Sequence, residues 1–228
     1  MAGAASAATP RRWWNPRGWA PTLREATPTG RARVPTSWAL YDFANTIFSY
    51  AVVSYAFGLW LTEPQQLGPE QGQLWQSLAI LASVGLNALV SPILGAVSDR
   101  GGRRLPYLLV FTVLCIVPTA FISVGGAALG IVLFVIANFG YQAALIYYDA
   151  TLKTVSTSAS RGGLSGFGVS IGYLGTIFIA LLLLLLSIPV AGTFPLAALL
   201  FALFAVPIFL VVHEQAQPGY RSRLADVA

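Results

Sequence analysis

The sequence predicts an all-α membrane protein of six transmembrane helices, and three observations carry that prediction. The 228-residue chain is 56% hydrophobic and 9% charged, whereas soluble domains are about 25% charged. Its mean hydropathy is +0.71. Its apolar residues fall into six runs, each near the roughly 20 residues that a helix needs to cross a bilayer. Helices are the expected form of every run, because lipid offers no partner to an open backbone group.

The runs are 38–62, 72–97, 105–124, 127–148, 165–188 and 193–212. Glycine and proline punctuate them: Pro64, Gly68 and Pro69, then Gly101 and Gly102, Gly125 and Gly126, Gly162 and Gly163, and Gly192. The break at Gly125–Gly126 is short, but 105–148 is too long for a single crossing. Pro92, Pro118 and Pro207 lie inside runs and are expected to kink them. Ser37 is the expected N-cap of the first span. Trp38 and Trp60 are expected as anchors at its two interfaces, and Trp75 at the outer interface of the second.

The 13 basic residues sort by side. Arg11, Arg12, Arg17, Arg24, Arg31 and Arg33 precede span one. Arg100, Arg103 and Arg104 follow span two, Lys153 and Arg161 follow span four, and Arg221 and Arg223 follow span six. The other loops hold none, so the positive-inside rule puts both termini in the cytoplasm, and the inner, plasma membrane is the expected location. A pI near 9.7 then reports orientation, and no nucleic-acid partner is expected. Residues 1–36 read as a disordered basic tail without a signal peptide, 37–213 as the bundle, and 214–228 as a second tail resembling the start of a central cytoplasmic loop.

Polar residues inside the spans are the candidate site. Asp42, Asn45 and Ser49 share one face of span one. Asp42 reads either as a structural charge near a helix start or as a cavity-lining, proton-coupling residue. Asn138, Gln142 and Asp149 form a stripe on span four, with Asp149 four residues before Lys153 and able to pair with it. Asn138 and Gln142 are the expected substrate contacts. Gly168 and Gly172 stand at small-xxx-small spacing on span five, followed by Gly175, and predict close helix packing. Asn87 is expected to bond another helix, and the lone Cys115 to pack. One Cys and one His leave no zinc set, and no phosphate-binding loop is present, so no metal, cofactor or enzymatic activity is expected. Gly163-Leu-Ser165-Gly166 with His213 is a remote alternative, an intramembrane serine protease dyad.

Gly95-Ala-Val-Ser-Asp99-Arg100-Gly-Gly102-Arg103-Arg104 resembles the loop two–three signature of the major facilitator superfamily. Ser37-Trp38-Ala39-Leu40-Tyr41-Asp42-Phe43-Ala44-Asn45 resembles the opening helix of its Atg22-like group, as does the glycine-rich entry to span five. The resemblance implies half of a major facilitator fold, two three-helix repeats, where whole transporters have two such halves. It implies secondary transport by alternating access, with Asp99 and its neighbours as the gating motif, for a small solute such as an amino acid. A separately encoded C-terminal half, a homodimer partner, or an inactive truncated half are the three alternatives for the rest of the cavity.

Overall fold

The computed structural model describes residues 33–101 and 103–214, without the side chains of 98–101. The expected tails at 1–32 and 215–228 lie outside the described residues, as does Gly102. Six helices follow one another: α1 (Arg33–Thr62), α2 (Gly68–Gly101), α3 (Leu105–Phe121), α4 (Gly126–Val155), α5 (Arg161–Leu185) and α6 (Val190–Val211). Five are long and apolar enough to span a bilayer; α3, at 17 residues, is shorter but still reaches the lower limit of a crossing. The expected all-α, six-helix class is what the chain adopts.

Helix boundaries follow local chemistry. Gly68 and Gly126 adopt φ of +74° and +78°, a conformation open to glycine without a Cβ penalty. Ser187, after α5, takes the same left-handed region at φ +48°. Two expectations at the ends are corrected. Ser37 is not an N-cap: α1 begins four residues earlier, and the Ser37 hydroxyl donates to the Val34 carbonyl within the helix. Residues 33–36 are therefore helical rather than part of a tail. Lys153 sits in the last turn of α4, not in a loop, because that helix runs on to Val155.

The middle of α1, Ser49–Ala56, is π-helical. Two contacts mark its wider turns: the Ser54 hydroxyl bonds the carbonyl of Ser49, five residues back, and the rings of Tyr50 and Tyr55 stack at 6.4 Å. Such segments concentrate at functional sites.

The packing is that of two repeats. The starts of α1 and α4 are 93 residues apart (126 − 33), and so are those of α2 and α5 (161 − 68). Contacts obey the same exchange: α1 packs on α5 and α6 while α4 packs on α2 and α3, and α3 meets α6. The helices α1 and α4 run antiparallel through the centre. Trp38 meets Tyr148, Phe48 meets Tyr141, and Phe57 stacks on Phe134 at 3.7 Å. Phe48 and Tyr141 are themselves 93 residues apart (141 − 48), so the repeat axis passes beside their contact, 5.0 Å between rings.

Burial separates the helices. α1 is the most enclosed, whereas α2 is almost wholly exposed along its apolar length, presenting Leu78, Leu81, Leu89 and Ile93 outward. Trp38 and Trp60 are corrected from interfacial anchors to core residues, 3% and 2% exposed. Trp38 donates through Nε1 to Thr151 Oγ1 at 3.2 Å, and Trp60 lies edge-on to Phe194. Trp75 is exposed, as an interfacial residue requires.

Candidate functional site

Three helices build the site. α5 approaches α1 along glycines: a Cβ on Gly168 would strike the Trp38 ring, one on Gly172 would lie 2.5 Å from Asp42 Oδ2, and one on Gly175 would lie 2.5 Å from the Phe43 carbonyl. The Thr46 hydroxyl fixes this approach by donating to the Gly172 carbonyl at 2.6 Å. α4 and α5 scarcely touch each other, and the Asp42 carboxylate lies over Gly172 of α5.

The end of α1 nearest Arg33 is tied to α4 in both directions. Trp38 donates to Thr151, and the Tyr148 hydroxyl donates back to the Trp38 carbonyl at 3.1 Å. The Trp38 and Tyr148 rings stack at 4.6 Å, and Tyr41 also stacks on Tyr148 at 5.0 Å. Tyr41 donates in turn to Thr112 Oγ1 at 2.6 Å, whose own proton goes to the Leu108 carbonyl. Every polar atom of this aromatic knot has a partner, which is what makes it tolerable in a buried place.

The sequence-predicted residues divide. Asp42 and Asp149 lie on different helices, α1 and α4, each within four residues of the Trp38–Tyr148 stack that joins them. Asp149 is exposed and makes no ion pair with Lys153 among the described residues, so the expected i,i+4 pairing is not formed. Asn45 is 1% exposed and both its amide atoms lack a partner. Asn138, 93 residues on, is equally enclosed but donates to Ser83 Oγ of α2 at 2.7 Å. It is thus a helix-to-helix bond rather than part of an open stripe. Gln142 is half-buried beside Tyr141. The carbonyl oxygen of the Asn87 side chain is buried without the expected helix-to-helix bond. Cys115 is buried and packed.

Of the loop signature, Gly95 lies in α2 with open space around it, Arg103 is exposed, and Arg104 is half-buried. The side chains of Asp99 and Arg100 and the whole of Gly102 lie outside the described residues. Sequence reasoning missed one residue here. Glu214, beyond the end of α6, accepts from the backbone N–H of Arg104 (2.7 and 2.8 Å to its two oxygens) and of Leu105 (3.0 Å). A carboxylate on the first N–H groups of α3 satisfies orphan donors and complements the helix dipole. The protease alternative finds no dyad: His213 is exposed, its Nδ1 lies 3.0 Å from the Val211 carbonyl, and no bond joins it to Ser165.

Six apolar helices in repeat-related packing define an integral multi-pass membrane protein. Two curated proteins are similar to it. An uncharacterised MFS-type transporter, YxiO of Bacillus subtilis (strain 168), is 27% identical in an alignment of 198 positions that covers 78% of this chain and 46% of that protein. An uncharacterised protein of Aquifex aeolicus (strain VF5) is 28% identical in an alignment of 192 positions that covers 81% of this chain and 48% of that protein. The chain spans about half the length of the curated relatives it matches. No family model matches it, and no solved structure matches it.

Proposed function

We propose that this chain forms one six-helix half of a secondary active transporter of the major facilitator kind, in the Atg22-like group, and moves a small solute by alternating access. The observation that carries the reading is the repeat-related bundle with the Asp42–Asp149 pair held on facing helices. Ionisable groups at membrane depth are costly and mark ion or substrate pathways, and repeat-built transporters place their sites where the repeats meet. The name of the Bacillus relative agrees with this reading. In it, the exposed α2 faces a second six-helix half, both termini are cytoplasmic, and the membrane is the inner one. An amino acid is the working solute class, with a proton gradient as energy source and Asp42 in the proton path. Asp99 and its arginines form the gate between the halves.

The alternative in which this half has no transport of its own rests on the share of the relatives that it spans. Reconstitution separates the two. Proteoliposomes with this chain alone, and with a six-helix second half added, are given an inward or outward proton gradient and a panel of radiolabelled amino acids. Gradient-driven flux that Asp99→Ala abolishes, while membrane insertion is retained, supports the reading. No flux with both halves present overturns it.

A further inference from the structure

The part of α1 beyond Phe48 and the end of α5 border a cavity of about 560 Å³, lined by neither the carboxylates nor the loop signature. Pockets for small organic ligands are of this size. Tyr50, Tyr55, Leu181, Leu184, Ser187 and Ile188 stand around it. Two departures from regular helix build it. In an α-helix, residues five apart point about 140° from each other. In the π-helical turns of α1, Tyr50 and Tyr55 come together instead, with their rings 6.4 Å apart and 3° from parallel. α5 closes with the Ile188 N–H on the Leu183 carbonyl at 3.3 Å and the Ser187 N–H on the Leu184 carbonyl at 3.4 Å. This closure holds Ser187 at φ +48°, a place where glycine is the usual residue. Among the described residues, Ser187 is the one non-glycine with positive φ. Such strain clusters at ligand sites, and what the serine adds over glycine is a hydroxyl at the cavity wall.

The wall decides the ligand's chemistry. Its polar side chains are the hydroxyls of Tyr50, Tyr55 and Ser187, and none of the three makes a hydrogen bond among the described residues. Phe48 sits beside the repeat axis, and Tyr50 and Tyr55 follow it by about 3 and 10 Å along α1. Both are then inside the roughly 15 Å half-thickness of the hydrocarbon core, where lipid tails offer a hydroxyl nothing. No charged residue occurs in 43–62 or 162–212, so an ion entering here meets no counter-charge. We propose that this cavity binds an uncharged amphipath, its apolar body against the leucines and its own hydroxyl, which both donates and accepts, on the tyrosine and serine hydroxyls. A zwitterionic amino acid, the working transport solute, is not that ligand, so the inference stands apart from the transport reading.

The test is photolabelling of the full chain in lipid nanodiscs with 3-azioctanol, a diazirine-bearing alcohol, read by peptide mapping over 180–188. Saturable labelling is expected there, displaced by 1-octanol and about tenfold less well by octane, octanoate or octylammonium. Tyr50→Phe and Tyr55→Phe each weaken displacement about two- to tenfold, as loss of one neutral hydrogen bond does, with an unchanged Tm verifying the fold. Ser187→Gly weakens displacement and raises Tm, because glycine takes that φ without strain. A serine with a structural role alone would give the second effect without the first. Labelling that does not saturate, octane displacing as well as octanol, or displacement unchanged in all three variants overturns the inference. So does labelling that vanishes when a six-helix second half is added, since that half then covers the face. Amino-acid flux by the paired halves without labelling refutes the inference and leaves the transport reading standing. Labelling without any flux does the reverse.

Discussion

Asn45 and Asn138 are the same residue at equivalent places in two repeats, yet they differ in what holds them. Asn138 donates to Ser83 at 2.7 Å, and such interhelical bonds are worth on average about 0.6 kcal/mol. Asn45 has no partner. Thermal unfolding in detergent is therefore expected to show a lower Tm for Asn138→Ala and an unchanged or higher Tm for Asn45→Ala. The reverse order would mean that Asn45 makes a bond in the membrane that compensates its burial. The sequence revealed both asparagines as intramembrane polar groups but could not tell them apart. The stripe Asn138, Gln142 and Asp149 holds in angle around α4, while its neighbours change along the helix: α2 at one level, and α1 near the end. Periodicity reports the face and not what covers it. The tryptophans teach the same point, since the reach from Trp38 to Trp60 suits two interfaces equally as well as two core contacts.

Glycine and glutamate act at the scale of elements. On α5, Gly175 faces the Phe43 carbonyl and Thr46, whereas Gly162 has nothing within 4 Å of an added Cβ. Gly175→Ala is expected to lower stability by about 1–3 kcal/mol, the usual range for overpacking, and Gly162→Ala to leave it nearly unchanged; folded yield and Tm check both. The small-residue spacing announced this contact in advance, because only small residues let two backbones come so near. Glu214 was invisible by contrast. It acts 110 residues from Arg104 in sequence, and no local pattern marks a carboxylate as the cap of a distant helix. Glu214→Ala is expected to cost about 0.5–2 kcal/mol, as cap losses do, and to speed hydrogen exchange at the Leu105 amide, with Glu214→Gln intermediate. Unchanged exchange would remove the cap from the account.

The whole molecule was legible where chemistry is summed over many residues. Composition gave the membrane, and apolar runs gave six helices to within a few residues at most ends. The 93-residue register and the exchange of helix contacts were not, because α1 and α4 share few identities and the repeat resides in packing. Orientation is a prediction at this scale. In intact cells, Gln65→Cys in the α1–α2 loop is expected to react with an impermeant maleimide, and Arg103→Cys in the α2–α3 loop only after permeabilisation. Labelling in the opposite order inverts the topology and, with it, the assignment of the basic loops.

The π-helical stretch of α1 makes the length of that segment a constraint of its own. Ser49–Ala56 joins a segment of α-helix that places Trp38 and Phe48 against α4 to another that places Phe57 and Trp60 there. It works as a phase adjuster between two faces that a uniform helix would set out of step. Removing one residue would let these turns close to ordinary ones and keep the segment beyond roughly in step, because a π turn holds more residues than an α turn. Adding one would turn everything beyond by about 100° and take Phe57 and Trp60 off Phe134 and Gly130. Within these eight positions the chain tolerates loss of a residue far better than gain of one.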